Sequence, residues 1–229
     1  MGSWFSFLDD QQPDAVPEGW SEDVRNVVFY TSSEYEFAAI GEEWRSGLFE
    51  GPTDAAVRTA KALSAQEGVH TTIRVHPNPD SDASSSVQRL LDLDLPRVTV
   101  VPPRSEVSSY ALMQAADVVV TAGSTAGIEA SYWGKPSVLL GRAMYSGLGA
   151  VHEPATRDAA LAQILDPDLA TVPRDPALRY GFYLATLGTP FRYFEGEDVF
   201  HGKFRGAAVR PTRWQRKVIR FLKKRAGQR

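Results

Sequence analysis

Residues 117–130 read DVVVTAGSTAGIEA, and their pattern changes from that of a strand to that of a helix. The run 117–121 is β-branched and apolar, which favours a buried strand. Residues 125–133 then have the spacing of a helix, and the glycines and hydroxyl side chains before them are typical of a turn. A buried strand that leads through a short turn into a helix is the repeating unit of α/β proteins.

The same alternation continues on both sides of this stretch. The sequence predicts further strands and helices, at 26–31, 71–75, 98–101 and 136–140 for the strands and at 54–66, 87–91, 108–116, 157–165 and 176–187 for the helices. Continuous apolar strands joined by helices favour a parallel sheet that is covered on both faces. The predicted fold class is α/β, a Rossmann-like parallel sheet with helices on both faces, followed by an amphipathic C-terminal helix at 212–226.

Composition divides the chain into three segments. The 229 residues are 43% hydrophobic and 23% charged, with a mean hydropathy of −0.26, which is the profile of a globular protein. We interpret residues 1–25 as an acidic, proline-containing leader with little structure. Residues 26–202 then form the Rossmann-like domain, and 203–229 form a basic amphipathic tail.

Several function classes are disfavoured by what the sequence lacks. The chain contains no cysteine, which excludes disulfide scaffolds, thiolate zinc sites and cysteine nucleophiles. No spacing of histidines and carboxylates matches a metal site. The P-loop, dinucleotide and nucleophile-elbow motifs are also absent; for the last, residue 122 is alanine instead of glycine. No apolar run is long enough to cross a bilayer and no signal peptide is recognised, so the sequence predicts a cytoplasmic protein.

The net charge of −3 hides a strong asymmetry. Of the 25 Lys and Arg residues, eleven lie in 203–229, and none of the 28 Asp and Glu residues does, so the tail carries about +11 and the rest about −14. Within 212–226, Trp214, Val218, Phe221 and Leu222 form an apolar stripe with basic residues around it. This pattern is typical of a helix on an anionic membrane surface; the alternative is that the stripe docks on the body. Nucleic-acid binding is disfavoured, because the acidic body opposes it and no recognition motif is present.

Two strand ends carry the candidate site. At the first, Gly123, Ser124 and Thr125 begin a helix, where backbone N–H groups and hydroxyls bind phosphate in related folds, while Glu129 can accept hydrogen bonds from sugar hydroxyls. The alternative is structural: Ser124 caps the helix, the glycines allow packing, and Glu129 is solvated. At the second, His76 follows a predicted strand and can donate to a phosphate.

Strands of one parallel sheet end at the same edge, so we expect His76 and Ser124 to flank one crevice that a nucleotide phosphate bridges. The loops that contain Arg104 and Tyr145 follow the neighbouring strands, and Arg142 lies in the second of them. Both arginines are therefore candidate phosphate partners, with solvated surface residues as the alternative.

These motifs, in this order, resemble the C-terminal donor-binding domain of a GT-B glycosyltransferase. The chain is similar to the bacterial capsule-polysaccharide biosynthesis transferases and, more distantly, to sialyltransferases with an HP motif and to UDP-N-acetylglucosamine 2-epimerases. The resemblance covers roughly residues 27–151 and is carried by the segments RVHPN at 74–78, SYAL at 109–112, ADVVVT at 116–121, STAGIEA at 124–130 and WGKP at 133–136.

The resemblance implies a domain that binds a nucleotide-activated sugar as substrate, with no cofactor and no metal. It implies catalytic roles for His76 and Glu129. It also implies that the donor phosphate is bound by His76, Gly123, Ser124, Thr125 and Arg142. The nucleotide or the sugar would be bound by Glu129, Arg104, Tyr110 and Tyr145. The acceptor would be a saccharide or a lipid-linked saccharide, and the protein would work as a peripheral protein at the inner face of the membrane.

The chain departs from this family in one respect, because GT-B enzymes have two Rossmann-like domains and only one fits here. The sequence therefore indicates a fragment, a split enzyme with a partner chain that supplies the N-terminal domain, or a divergent single-domain form. No general base is assigned; Asp9, Asp10, Glu34 and Glu36 are the available carboxylates near the start. Two other functions stay open, an epimerase-like isomerase half and a non-catalytic module that binds a nucleotide sugar or a partner enzyme.

Overall fold

The computed structural model describes part of the chain, namely residues 11–32, 34, 41, 44, 47–76, 85–188, 192–196 and 202–209. The chain forms two compact units. The larger unit is Phe7–Thr186, and the smaller consists of Met1–Ser6 and Leu187–Arg229. The candidate site residues all belong to the larger unit.

The larger unit alternates strands and helices along the chain. Its strands are β1 Arg25–Tyr30, β2 Val69–Arg74, β3 Val98–Val101, β4 Val118–Thr121 and β5 Ser137–Leu139. Its helices are α1 Pro52–Ser64, α2 Ser85–Leu91, α3 Ser109–Ala115, α4 Ala126–Tyr132, α5 Arg157–Leu165 and α6 Asp175–Thr186. Each predicted strand and helix between residues 26 and 187 is present, with ends that differ by at most two residues.

All five strands pair in parallel, in the order β3-β2-β1-β4-β5. The register places Arg74 and Thr121 on either side of Tyr30, so the three central strands end level with one another. In this order, β2 and β3 lie on one side of β1, and β4 and β5 lie on the other side. The switch point, where α/β proteins bind their ligands, therefore lies between the carboxyl ends of β1 and β4.

Successive side chains of β1 enter different cores. Val27 and Phe29 pack in a cluster that contains residues of α1, α2 and α5. Val28 and Tyr30 pack in a second cluster with α3 and with Ala130 of α4. Since alternate residues of a strand point to opposite faces, helices cover both faces of the sheet, which confirms the predicted Rossmann-like class.

The segment that precedes β1 is part of the larger unit, contrary to the leader that the sequence predicted at 1–25. The N–H of Gln12 donates to the carbonyl of Glu106 over 2.8 Å, and the N–H of Ser108 donates to the carbonyl of Ala15 over 2.8 Å. Trp20 packs against the cluster that contains Val28. These backbone hydrogen bonds join the segment to a loop that is distant in sequence. Composition alone, which is that of a solvated leader, did not indicate them. Residues 1–10 of the predicted leader lie outside the described part.

The end of the predicted Rossmann-like domain also differs, because the larger unit ends at Thr186 instead of at 202. In the smaller unit, β6 Phe194–Gly196, β7 Gly202–Phe204 and β8 Ala207–Val209 form an antiparallel sheet. A two-residue turn joins β7 to β8, with φ of 51° at Arg205 and 79° at Gly206. Positive φ at both central residues is typical of a type I′ hairpin.

The first residues of the predicted basic tail therefore lie in strands, and the helix predicted at 212–226 lies outside the described residues. Within the described ranges, no helix combines the length and the apolar character that crossing a bilayer requires.

Candidate functional site

The end of β2 is joined to the end of β1 through the backbone of His76. The N–H of His76 donates to Oγ1 of Thr31 over 2.9 Å, and the N–H of Thr31 donates to the carbonyl of Arg74 over 3.1 Å. Thr31 is buried, so this link is protected from water. It fixes the start of the His76 loop beside the carboxyl end of β1. Pro77 and Asn78 of the motif lie outside the described residues.

The loop after β4 has a backbone that depends on glycine. Gly123 has a φ of 142°, a region that residues with a side chain rarely adopt. The Oγ of Ser124 accepts from the N–H of Ala126 over 3.3 Å, and the carbonyl of Ser124 accepts from the N–H of Gly127 over 3.2 Å. Thr125 is exposed and its side chain makes no capping hydrogen bond. Ser124 therefore makes a hydrogen bond at the start of the helix, as the structural alternative expected. Its loop also lies at the switch point, as the prediction of a phosphate site expected.

The position of Tyr145 differs from the nucleotide or sugar contact that the sequence predicted. Its side chain is 1% exposed, and its hydroxyl donates to the carbonyl of Ser124 over 2.6 Å. The ring packs edge-on against Tyr180 of α6, with a centroid distance of 5.8 Å. Burial raises the pKa of the Tyr145 hydroxyl well above its usual range. We therefore reassign Tyr145 from the ligand to the support of the Ser124 loop.

Two glycines allow elements to approach the same loop closely. A Cβ on Gly127 would lie 2.5 Å from the hydroxyl oxygen of Tyr145 and 2.9 Å from Oγ1 of Thr121. A Cβ on Gly141, at the end of β5, would lie 2.8 Å from the carbonyl carbon of Ala122 and closer still to its oxygen. The glycines of this region therefore serve close packing, which was the structural alternative in the sequence.

The third feature of the site is a pair between two helices. The hydroxyl of Tyr110, in α3, donates to Oε2 of Glu129, in α4, over 3.1 Å. Tyr110 is 39% exposed, so the pair lies at the surface of the unit. Burial raises the pKa of the Tyr110 hydroxyl, and the Glu129 carboxylate raises it further. The structure thus brings into contact two of the residues that the sequence assigned to the nucleotide or sugar.

The two arginines lie at different distances from the switch point. Arg142 is exposed and follows Gly141, whose backbone lies against Ala122, so Arg142 flanks the Ser124 loop. Arg104 is exposed and follows β3, which is three strand spacings, about 14 Å, from β4. Of the two, Arg142 is the one placed beside Ser124.

A residue that the sequence analysis did not single out lies at the centre of this edge. Arg74, the last residue of β2, is 1% exposed. Its Nη1 donates to the carbonyls of Pro102 and Pro103, over 2.5 and 3.5 Å, and its Nε donates to Oγ of Ser109 over 3.3 Å. The sequence signal was a charged residue at the end of a predicted strand, the first residue of the RVHPN segment at 74–78. An arginine there is usually solvated, which is why the pattern did not indicate a buried one.

Glu34, one of the carboxylates considered as a general base, has a structural contact. Its Oε1 accepts from the N–H of Thr53, in the first turn of α1, over 2.9 Å. The other three carboxylates near the start, Asp9, Asp10 and Glu36, lie outside the described residues. Of the residues that the structure describes, no group of three or more His, Asp or Glu side chains is placed to hold a metal ion.

The burial of the Tyr145 hydroxyl, which raises its pKa, predicts a pH dependence of stability. A tyrosine with a raised pKa stays protonated in the folded state while it ionises above pH 10.0 in the unfolded state. The unfolded state then binds fewer protons, so folding stability decreases as pH rises above 10, by about 1.4 kcal/mol per pH unit for one such group. We expect the free energy of unfolding of Tyr145→Phe to decrease less steeply than that of the wild type between pH 10 and 11.

Urea unfolding at several pH values measures these slopes. Tyr183→Phe is the matched control, because Tyr183 is 54% exposed and its removal should leave the slope unchanged. Equal slopes for wild type and Tyr145→Phe would contradict the prediction.

Comparison with known proteins gives one match to a family and several to solved structures. The model of the family described as capsule polysaccharide biosynthesis protein matches residues 62–174. No curated protein matches the chain. The solved structures include a β-Kdo 2,4-transferase, KpsC, of Thermosulfurimonas dismutans, at 23% identity and a TM-score of 0.43 over 66% of this chain and 44% of that one.

Two further solved structures also match most of this chain and about half of their own. The spinosyn rhamnosyltransferase SpnG, complexed with spinosyn aglycone, is 17% identical over 77% of this chain and 46% of its own, with a TM-score of 0.45. A structure described as a UDP-N-acetylglucosamine 2-epimerase from Listeria monocytogenes is 14% identical over 80% of this chain and 51% of its own, with a TM-score of 0.44. The chain spans about half the length of each of these proteins.

The family match includes both strand ends of the candidate site, His76 and Ser124, and the Tyr110–Glu129 pair. The chain is a Rossmann-like domain that resembles the capsule polysaccharide biosynthesis proteins over residues 62–174, which confirms the resemblance that its motifs indicated.

Proposed function

We propose that this chain is the donor-binding half of a glycosyltransferase of capsular or surface polysaccharide synthesis and binds a nucleotide-activated sugar at the switch point. The observation that carries the proposal is the strand order, which places the His76 and Ser124 loops on opposite sides of the end of β1. Strands β2 and β4 are two spacings apart, about 10 Å, so a diphosphate with its ribose is long enough to reach both loops. The family match over residues 62–174 supports the same assignment.

The residues at this edge suit an anionic ligand. The His76 ring and the backbone N–H groups after Gly123 are hydrogen-bond donors for phosphate oxygens, and Arg142 adds a positive charge beside them. Donors held in place before the reaction stabilise the charge that develops on a leaving phosphate, which is often the largest contribution to catalysis. Because the Glu129 carboxylate is an acceptor, it suits the hydroxyls of the ribose or the transferred sugar.

A transferase also needs an acceptor site and a general base, and we assign neither to the residues at this edge. Glu34 accepts a hydrogen bond from the N–H of Thr53 at the start of α1, so one of its carboxylate oxygens is already engaged. We propose that a second Rossmann-like domain, in the same protein or in a partner chain, supplies the acceptor site for a saccharide or a lipid-linked saccharide. The neighbouring reading frame is the first place to search for it.

Titration calorimetry tests the proposed ligand. We expect CMP or UDP, and the corresponding nucleotide sugars, to bind the wild-type chain, with the phosphate contributing most of the affinity. The nucleosides cytidine and uridine are the matched controls and should bind much more weakly, because they lack the phosphate. If none of the nucleotides binds, the proposal is refuted.

Product analysis then separates the enzymatic outcomes. Transfer consumes the nucleotide sugar only when an acceptor is present, whereas an epimerase changes the sugar without an acceptor. Binding without turnover, even with the second domain added, would indicate a non-catalytic module.

We further propose that the tail at 203–229 holds the protein at an anionic membrane surface. The support is its charge of about +11 beside an acidic remainder, together with the apolar stripe of the predicted helix. Deleting residues 210–229 should abolish sedimentation with phosphatidylserine vesicles and leave nucleotide affinity unchanged. Neutral phosphatidylcholine vesicles are the control, and equal sedimentation of both proteins would refute the membrane role.

A further inference from the structure

The first residue of α3, Ser109, is held by three different parts of the larger unit. Its N–H donates to Oε1 of Gln11, in the segment before β1, over 2.7 Å. Its Oγ accepts from Nε of Arg74, at the end of β2, over 3.3 Å. Its carbonyl accepts from the hydroxyl of Tyr30, at the end of β1, over 2.6 Å. Each hydrogen-bonding group of this one residue is thus bonded to a different element.

This anchoring has a direct effect on the next residue. Helix α3 has seven residues, and a helix this short has little intrinsic stability, so its orientation depends on tertiary contacts. Tyr110 follows Ser109 and carries the hydroxyl that donates to Glu129. Holding Ser109 therefore fixes where the Tyr110 hydroxyl lies relative to the Glu129 carboxylate.

The Arg74 contribution to this anchoring has a high energetic cost. Its guanidinium is 1% exposed, none of the described carboxylates forms an ion pair with it, and its Nη2 has no hydrogen-bond partner among the described residues. A buried charge without an ionic partner is strongly unfavourable unless other hydrogen bonds compensate for it. The carbonyls of Val75, Pro102 and Pro103 and the Ser109 hydroxyl are those partners, and the last three belong to the segment 102–109, which includes the start of α3.

We propose that Tyr30, Arg74 and Ser109 are positioning residues that orient the Tyr110–Glu129 pair toward the nucleotide sugar. This inference rests on the proposed function and names the residues that prepare its site. Tyr30 and Arg74 do not touch the ligand in this assignment, because both are buried. They act through Ser109 and Tyr110 on the Glu129 carboxylate, which makes the contact.

The pKa shifts of Tyr30 and Tyr110 agree with this geometry. Burial raises the pKa of Tyr30 far above its usual range, Arg74 lowers it, and Glu129 and Tyr110 raise it. Burial also raises the pKa of Tyr110, with Glu129 as the next cause. The Glu129 carboxylate therefore acts on the hydroxyls of both Tyr30 and Tyr110.

A double-mutant cycle tests the proposal through ligand binding. The variants are Tyr30→Phe, Tyr110→Phe and the double variant, titrated with whichever of UDP and CMP binds the wild type more tightly. Each single variant loses one hydrogen bond, which should weaken binding by about 3- to 10-fold. If Tyr30 acts through Tyr110, the double variant binds as Tyr110→Phe does; if the two effects multiply, the proposal is overturned. Tyr183→Phe is the control and should bind as the wild type.

A second measurement needs no ligand. Tyrosine labelled with ¹³C at Cζ reports the pKa of Tyr110 by NMR, with the resonance assigned by its loss in Tyr110→Phe. Tyr30→Phe should move the pKa of Tyr110 toward its ordinary value, because the hydroxyl is then held less closely to Glu129. An unchanged pKa would overturn the positioning role. If the wild type binds no nucleotide, the proposed function fails while this measurement still decides whether the Tyr30–Ser109 contact orients Tyr110.

Discussion

Gly141→Ala will lower the free energy of unfolding by about 3 kcal/mol or more, the upper end of the range for overpacking a tight interior. The new Cβ would lie 2.8 Å from the carbonyl carbon of Ala122 and closer still to its oxygen, distances that real Cβ atoms essentially never show. Both obstructing atoms belong to the backbone, so no side-chain rotation relieves the clash. The end of β5 or the loop after β4 has to move.

Urea unfolding followed by circular dichroism measures this effect, and Gly181→Ala provides the matched control. Gly181 lies within α6, and a Cβ there meets nothing within 4 Å. The same substitution should stabilise the protein at this position, by about 0.4–1 kcal/mol, because alanine restricts the unfolded chain and favours helix. Effects of the same sign at the two glycines would contradict the close approach at Gly141.

The second large effect is on ligand binding. His76→Ala should weaken binding of UDP or CMP by about 10- to 150-fold for each hydrogen bond to charged phosphate that it removes, at about 1.5–3 kcal/mol per bond. The anchor to Oγ1 of Thr31 is made by the backbone N–H of His76, and alanine keeps that group. The loop should therefore stay in place, so the loss of affinity reports the imidazole itself. Titration calorimetry gives the affinity.

His70→Ala is the control, because His70 lies near the start of β2, the strand that precedes His76. Its ring contacts Oγ1 of Thr99 over 2.9 Å, at the opposite edge of the sheet from the switch point. We expect this variant to lose some stability and to bind nucleotide as the wild type does. Wild-type affinity in His76→Ala would show that His76 has a structural role only.

The secondary structure of the larger unit was predictable because its signals are local. The strand at 98–101 and the helix at 157–165 have the predicted bounds. The strands are short β-branched runs and the helices have a clear apolar spacing, so neighbouring residues determine the element. The hairpin at Arg205 and Gly206 was missed, since an Arg-Gly pair is a weaker turn signal than Asn-Gly.

The positions of the candidate site residues in the fold were predictable in part, for a related reason. His76, Ser124 and Glu129 follow strands or begin helices, and the carboxyl edge of a parallel sheet brings such positions together once the fold class is known. Tyr145 was assigned to the ligand because its loop follows β5, yet its ring turns inward and supports Ser124. Whether a loop side chain faces the crevice or the core depends on what packs beneath it, here Tyr180 of a later helix.

Local pattern alone thus identified an α/β chain, the order of its elements and the two strand ends that we propose as the phosphate site, since periodicity and turn composition act over a few residues. The tertiary structure alone decided which strands are neighbours, that residues 11–24 pack on the body, and that Arg74 is buried at the site edge. The physical reason is the range of the interactions. Arg74 becomes buried only because carbonyls nearly 30 residues away, at Pro102 and Pro103, replace its water, and no local pattern encodes that exchange.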